Sequence, residues 1–331
     1  MAWMDGLFRD LMLRTLTVVA AGLLGAAAAC GPGRAGEGAG AVTLRVADQA
    51  GALQSKLKFA GLLDDVPYRI EWAVFPAAVN IHEALKAGAV DIGFSGTGPT
   101  VSAIAGGSPI VIAAAWDTGG RGVYLLVPKD SAIQSLQDLR GKTISPTGRG
   151  SAGHYITIVA LEKAGLSTSD VKLAFLDPAD ASAAFLTGQI DAWGTWGVHA
   201  IKALGTHKAR ILTDTTQLRP EIYVASVTRS AAADPAKLVA IRDFIDRFER
   251  GHVWTREHRD QHIAWFSAFA KQDAETSARY YEDEVGYRRL PVDDALVANM
   301  QETLAIWVRG GVLKGNIDMN KYVFRDIPAE H

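Results

Sequence analysis

Leu85-Lys86-Ala87-Gly88-Ala89-Val90-Asp91-Ile92 is echoed by Phe185-Leu186-Thr187-Gly188-Gln189-Ile190-Asp191-Ala192, the two glycines standing 100 residues apart. Each phrase reads as a helix end, a glycine stop and a short apolar run that begins a strand. Ile81, Ala84 and Leu85 hold the i, i+3, i+4 spacing of one helix face ahead of the first glycine. Units of this kind are common in α/β chains, so chance is one account of the repeat. The other is two similar lobes, each with its own sheet.

Working outward, Val42 to Ala47, Tyr68 to Trp72, Val90 to Phe94 and Ile110 to Ala115 read as strands separated by helical stretches. This alternation predicts an α/β fold with mainly parallel sheets. Ile156, Val159 and Ala160 repeat the helix spacing, with Gly165 as the stop. Beyond Val227 the chain reads as mostly helical, opening at Asp234-Pro235, an N-cap followed by proline in the first turn. Leu238, Ile241, Phe244, Ile245 and Phe248 then form one apolar face suited to core packing.

The chain has 331 residues, 34 Lys plus Arg against 36 Asp plus Glu, and 48% hydrophobic residues, a globular composition with room for about two domains. A formal net charge of -2 without a long basic run argues against a nucleic-acid partner. The single cysteine, Cys30, excludes an intrachain disulfide and a multi-thiolate metal cage. No metal and no cofactor is expected.

Residues 1–29 read as a signal peptide: Arg9 and Arg14 precede an uncharged run of 14 residues that ends in Ala26 to Ala29. A spanning helix needs roughly 20 residues, which makes a retained anchor the weaker alternative. Cys30 after the small residues resembles the acylated cysteine of bacterial lipoproteins, although Ala27 stands where a leucine is usual, and ordinary cleavage after Ala29 is the alternative. Residues 30–41 would then be a lipidated cysteine and a glycine-rich tether.

Phe75-Pro76-Ala77, Glu83-Ala84-Leu85, Gly88, Val90-Asp91-Ile92-Gly93, Gly150-Ser151, His154, Ala164-Gly165-Leu166, Pro178-Ala179-Asp180-Ala181, Ala184-Phe185 and Asp191-Ala192-Trp193 occur in an order that resembles the solute-binding proteins of ABC importers for aliphatic sulfonates. Relatives of that family take taurine, nitrate and pyrimidine precursors. The resemblance implies a two-lobed periplasmic-binding-protein-like fold with two crossing segments, expected near Gly122 to Val127 and Tyr223 to Val227. Lobe 1 would comprise 42–122 plus 226–331 and lobe 2 123–225. It also implies an exported monomer, lipid-anchored to the membrane if Cys30 is acylated, that traps a small organic anion of the alkanesulfonate class in the cleft. That monomer would deliver its cargo to ABC permease subunits without performing chemistry. Many relatives have Asp-Pro-Tyr after the tryptophan at 196, where this chain has Gly197-Val198-His199, a departure that bears on the substrate.

A sulfonate has three acceptor oxygens, and helix N-termini offer unpaired N–H groups with partial positive charge. Two strand-to-helix loops have that form: Ser95-Gly96-Thr97-Gly98-Pro99, and Ser145 to Gly153 with Ser151 as N-cap. Candidate ligand residues are therefore Gly96, Thr97, Gly98, Gly150, Ser151 and His154, with Arg121 and Arg149 as possible added charge. Trp116, Trp193 and Trp196 are candidates to hold a tail, each equally suited to a core. Gln49 and Leu53 are weaker candidates by position.

Two enzyme readings compete. Gly148, Gly150 and Gly153 spell G-x-G-x-x-G after a strand, the form of a dinucleotide site, but an export signal and the displaced first glycine oppose it. Cysteine-dependent enzymes of this superfamily fold need a thiol in the cleft, and the sole cysteine lies ahead of the folded body. His258 and His262 have i, i+4 spacing without the Glu of a zinc-protease motif, and are expected on a solvated helix face.

Overall fold

The computed structural model describes residues 42–329, so the signal peptide, Cys30 and the tether lie outside the described residues. The first part runs β1 (Thr43–Gln49), α1 (Ala52–Phe59), β2 (Arg69–Phe75), α2 (Ala78–Lys86), β3 (Ile92–Gly96), α3 (Thr97–Ala105) and β4 (Ile110–Asp117). There follow β5 (Val123–Val127), β6 (Thr143–Ser145), α4 (Ala152–Lys163), β7 (Lys172–Leu173), α5 (Pro178–Leu186), β8 (Ala192–Trp196), α6 (Gly197–Thr206) and β9 (Arg210–Asp214). The chain then returns through β10 (Ile222–Thr228), α7 (Arg229–Ala233), α8 (Pro235–Glu257), α9 (Arg259–Ala270), α10 (Ala274–Glu284), β11 (Arg288–Leu290) and α11 (Asp294–Arg309).

Two sheets result, ordered β11-β4-β10-β3-β1-β2 and β7-β6-β8-β5-β9. Without the edge strand β11, they are one topology used twice. β1 lies parallel to β2 and β3, as β6 does to β7 and β8. β10 runs antiparallel to β3 and β4, as β5 does to β8 and β9. The expectation of mainly parallel sheets is thus corrected to mixed ones. β5 and β10 each arrive from the other lobe and enter at the cleft end, opposite to strands that run towards it.

The repeated phrase has the same structural role in both lobes. Gly88 and Gly188 take φ of 68° and 69°, left-handed values that favour glycine. The helix ends close identically: Gly88 N donates to Leu85 O and Ala89 N to Ala84 O, Gly188 N to Phe185 O and Gln189 N to Ala184 O. Each aspartate then ties its strand to the first strand of its sheet. Asp91 accepts from Arg45 N at 2.9 Å, and Asp191 from Thr143 N at 2.8 Å. Asp91, almost fully buried, is also paired with the side chains of Arg45 at 2.6 Å and Lys237 at 2.8 Å.

The crossings lie beside the expected places. β4 ends at Asp117 and β5 begins at Val123, leaving residues 118–122; β9 ends at Asp214 and β10 begins at Ile222, leaving 215–221. Gly122 to Val127 and Tyr223 to Val227 are instead largely sheet interior, which is why their runs are apolar. Residues 222–225, expected in lobe 2, pair with β3 and β4 of lobe 1.

Nor does the C-terminal third belong to lobe 1 alone. Trp265, Phe266 and Tyr280 of α9 and α10 cluster with Ile201 of α6. Trp307 of α11 shares a core with Val101 and Ile104 of α3 and with Tyr155 and Ile158 of α4. α8 opens as expected, Asp234 accepting from Ala236 N and Lys237 N, and Ile241, Phe244, Ile245 and Phe248 are buried. His262 departs from the solvated face expected for it: it is fully buried and bonds Glu284 at 3.0 Å.

Candidate functional site

Between the lobes lies a cavity of about 150 Å³, walled by both sheets' helix starts, both crossings and the C-terminal helices. Lobe 1 contributes Gln49, Ala50, Ala52 and Leu53 before and within α1, and Gly96 and Pro99 around the start of α3. Lobe 2 contributes Ala152 at the start of α4 and Trp196 to His199 at the start of α6. Because β1 corresponds to β6 and β3 to β8, these four helix starts form two pairs related by the repeat. The two loops singled out in the sequence are therefore not partners: Ser95 to Pro99 corresponds to the stretch at Trp196, and Ser145 to Gly153 to the stretch at Gln49.

The crossings supply Thr118, Arg121, Gly122 and Glu221, and the helices beyond β10 supply Phe248, His252, Asp283 and Glu284. Tyr223, Phe248, His252 and Tyr287 form a continuous aromatic wall. Tyr223 stacks on Phe248 with centroids 6.1 Å apart, and His252 on Tyr287 at 4.3 Å. Burial drives His252 well below its ordinary pKa, so it is neutral.

The carboxylates differ in their partners. Asp48 caps α1 from within the strand, accepting from Leu53 N at 3.1 Å and Gln54 N at 2.9 Å, while burial pushes it up to about 6. Glu284 meets Lys56 at 2.9 Å and Tyr280 at 3.0 Å. Burial acts to raise Glu284, but Lys56 and His262 hold it well below the usual carboxylate range. Burial pushes Asp283, bonded to the Tyr124 hydroxyl, up to about 7. Glu221, on the second crossing, is also pushed up to about 7 by burial.

Glu221 changes the account of the first loop. Gly98 N donates to its Oε1 at 2.7 Å, and a Cβ on Gly96 would stand 2.7 Å from the same oxygen. The start of α3 is thus occupied by a carboxylate of the chain itself. Gly96 lines the cavity, but Thr97 and Gly98 are buried behind it and do not.

The second loop folds as expected and faces elsewhere. Ser151 caps α4 by accepting from His154 N at 3.2 Å, but its hydroxyl donates inward to Pro146 O at 3.0 Å. His154 is buried against Phe175 and Trp307, its Nδ1 accepting from Gly150 N at 3.0 Å. A Cβ on Gly150 would lie 2.5 Å from Ser102 Oγ of α3, so this glycine sets how closely the lobes approach. Gly153 is explained by packing: its Cβ would collide with Gly194 O, where α4 crosses β8. Arg149 lies over the Phe175 ring at 4.3 Å. Gly150, Ser151 and His154 are therefore outside the cavity lining.

Of the other candidates, Gln49, Leu53, Arg121 and Trp196 line the cavity. Trp116 and Trp193 do not; both are core residues. Trp116 is fully buried, its Nε1 donating to Glu249 at 2.5 Å, and Trp193 donates to Thr147 Oγ1 at 3.1 Å. The residues sequence reasoning missed are Glu221, Tyr223, Phe248, His252, Asp283 and Tyr287. The 100-residue repeat, applied to Gly96, would have pointed to Trp196 and the Gly197-Val198-His199 departure beside it.

Two lobes of one topology, joined by two crossings around a shared cavity, define a bilobal solute-binding protein. The profile of the family described as "ABC transporter, phosphonate, periplasmic substrate-binding protein" matches residues 59–274, and the chain belongs to that family. A curated relative, the "Putative aliphatic sulfonates-binding protein" of Escherichia coli (strain K12), is 28% identical over 290 residues, 87% of this chain and 90% of the relative. The crystal structure of the periplasmic aliphatic sulphonate binding protein SsuA from Escherichia coli is 27% identical, with a TM-score of 0.74 over 87% of this chain and 94% of that one. The alkanesulfonate-binding protein SsuA from Xanthomonas axonopodis pv. citri, bound to MOPS, has a TM-score of 0.77 at 24% identity, covering 87% of this chain and 99% of that chain. That likeness shows the same fold.

Proposed function

We propose that this chain captures a short alkanesulfonate in the interlobe cleft and hands it to the permease subunits of an ABC importer. The observation that carries the reading is the cavity itself, walled by both lobes and both crossings, so that a bound solute touches every part that moves when lobes close. α6 begins at the cavity with no side-chain cap; its first N–H, on Gly197, goes to Gly122 O at 3.0 Å, and those of Val198 and His199, with the positive end of the dipole, serve the sulfonate oxygens. Arg121 adds a guanidinium from the first crossing and Gln49 an amide from lobe 1. A volume of about 150 Å³ is well below the roughly 300–1,000 Å³ of drug-sized sites, which suits a short chain.

In this reading the protein works as an exported monomer tethered through an acylated Cys30, and it performs no chemistry. A thermal-shift screen of the purified protein against short alkanesulfonates, nitrate and pyrimidine precursors tests the cargo. A ligand at 100 times its dissociation constant adds about 2.7 kcal/mol, so the matching class should raise the melting midpoint by a few degrees. Stabilisation by nitrate or pyrimidines with none by any sulfonate would overturn the reading.

A further inference from the structure

A second cavity, of about 120 Å³, lies on the seam between the lobes, and its lining shares only Pro99 with that of the solute cavity. Lobe 1 borders it with His82 and Lys86 of α2, Ser102 of α3 and Ser108 just beyond; lobe 2 borders it with Arg149 and Gly150 of the loop before α4. Two of these side chains are buried with a polar group unsatisfied. His82 and Ser108 are 3% and 2% exposed, and neither His82 Nδ1 nor Ser108 Oγ has a hydrogen-bond partner among the described residues. Buried polar atoms of this kind are costly unless something pairs with them.

The other ring nitrogen of His82 settles what kind of partner is called for. Nε2 lies 2.9 Å from Ser95 Oγ, which lies 2.8 Å from Thr100 Oγ1, which lies 2.9 Å from Gly96 O. Gly96 O can only accept. The arrangement that uses all three contacts therefore has Thr100 donating to Gly96 O, Ser95 donating to Thr100, and Nε2–H donating to Ser95. Burial pushes His82 down to about 4, so the ring is neutral at pH 7. Nδ1 is then a bare acceptor, and its complement is a hydrogen-bond donor.

The exposed rim asks for the opposite. Lys86 and Arg149, one from each lobe, have no carboxylate partner among the described residues: Lys86 donates to Gly106 O at 2.8 Å, and Arg149 lies over the Phe175 ring. Glu83 is the acidic side chain in the lining, against these two cations. An occupant that suits both parts carries a hydroxyl for Nδ1 and negative oxygens for the rim. An oxyanion that keeps a proton at neutral pH has both, whereas sulfate and sulfonates offer acceptors alone.

We propose that this seam is a second anion site, distinct from the solute cleft, and that it takes a hydrogen-bearing oxyanion of which inorganic phosphate is the simplest. The P–OH group donates to His82 Nδ1, Ser108 donates to a phosphate oxygen, and Lys86 and Arg149 hold the charge from the two lobes. The site is independent of which solute the cleft carries.

The test uses the purified protein in buffer free of phosphate and sulfate, titrated calorimetrically at pH 7 and constant ionic strength with sodium phosphate and, separately, sodium sulfate. Phosphate should bind at least about tenfold more tightly than sulfate, the cost of leaving Nδ1 without its donor. Lys86→Gln and Arg149→Gln, both at exposed positions that leave the fold intact, should each weaken phosphate severalfold. In protein labelled with nitrogen-15 in its histidine rings, phosphate should shift one unprotonated ring nitrogen, as an acceptor gaining a hydrogen bond does, and either substitution should diminish that shift at the same phosphate concentration. Sulfate binding as tightly as phosphate, phosphate affinity that survives both substitutions, titration without a shift of any histidine ring nitrogen, or no phosphate binding below about 10 mM would each overturn the inference.

Discussion

The helix starts that follow the two copies of the repeated phrase occupy one topological position and have different fates. In lobe 1, β3 passes into α3 through Ser95-Gly96-Thr97-Gly98, and the carboxylate of Glu221 takes the Gly98 N–H. In lobe 2, β8 passes into α6 through Thr195-Trp196-Gly197-Val198, and no side chain caps the start. A helix N-terminus facing a cleft is therefore only a nominee for an anion seat. What decides is how much of it another part of the chain already fills: a crossing carboxylate takes Gly98 N–H within the first turn of α3, whereas at α6 the crossing takes only the first N–H, Gly197 to Gly122 O at 3.0 Å.

The largest expected effect tests how alike the phrases are. Asp91 and Asp191 make the same bond to the backbone of the neighbouring strand, but Asp91 alone also holds Arg45 and Lys237. Asp91→Ala should cost about 3 kcal/mol, the low end for breaking a buried pair, because both cations keep some access to water. Asp191→Ala should cost about 1–2 kcal/mol for one backbone N–H left without its acceptor. Chemical denaturation of the two variants measures the gap.

The Asp91 contribution also has a sign in pH. Burial works to raise this carboxyl, yet Arg45 and Lys237 hold it below the usual range. Its stabilisation is thus present above the ordinary carboxylate pKa and lost as pH falls through the depressed value. The difference between wild type and Asp91→Ala should shrink on acidification. Equal costs for the two aspartates would mean the side-chain pairs add nothing and the phrases are energetically identical.

A second, smaller effect tests the occupied helix start. Glu221 is raised to about 7 by burial, so the folded protein binds its proton more tightly than the unfolded chain does. Stability should then fall as pH rises from the ordinary carboxylate range to about 7 and level off above it. Glu221→Gln should remove Glu221's share of that fall, to which Asp283 and Asp48 also contribute, so that the variant gains about 2 kcal/mol relative to wild type between pH near 5 and near 8. Melting curves across this window, without ligand, check it. A wild-type profile that the substitution leaves unchanged would mean Glu221 stays ionised, its charge matched by the α3 dipole.

How much of this was legible in the sequence follows from the range of each interaction. The repeat was readable because its parts are local: a glycine with positive φ three residues after Leu85 or Phe185, and an aspartate three residues further on. The direction of β10 was not, since Ile222 to Thr228 is an apolar central strand whose composition is the same in either sense. Glu221 was invisible for a different reason. It ends a polar crossing, Thr215-Thr216-Gln217-Leu218-Arg219-Pro220-Glu221, and only the approach of α3 buries it. Phe248 and His252 continue an apolar stripe that does pack in a core, and nothing local indicates that its far end reaches the cavity.

The smallest expected effect concerns Ser151, which the comparison of lobes moves from the ligand to the scaffold. Its hydroxyl donates to Pro146 O at 3.0 Å and accepts from His154 N at 3.2 Å, so both roles are satisfied within one loop. The residue that lines the cavity at this helix start is Ala152. Ser151→Ala should therefore lower stability by about 1 kcal/mol, the ordinary cost of an N-cap, and leave ligand affinity unchanged. Gly150→Ala acts at the same loop through a different route: φ of 80° and a Cβ directed 2.5 Å from Ser102 Oγ make the lobes meet less closely. It should weaken binding by hindering closure, visible as a smaller ligand-induced fall in radius of gyration by solution scattering. Should Ser151→Ala weaken binding tenfold while Gly150→Ala leaves closure intact, the loop after β6 contacts the solute after all, and the pairing of α3 with α6 no longer accounts for the site.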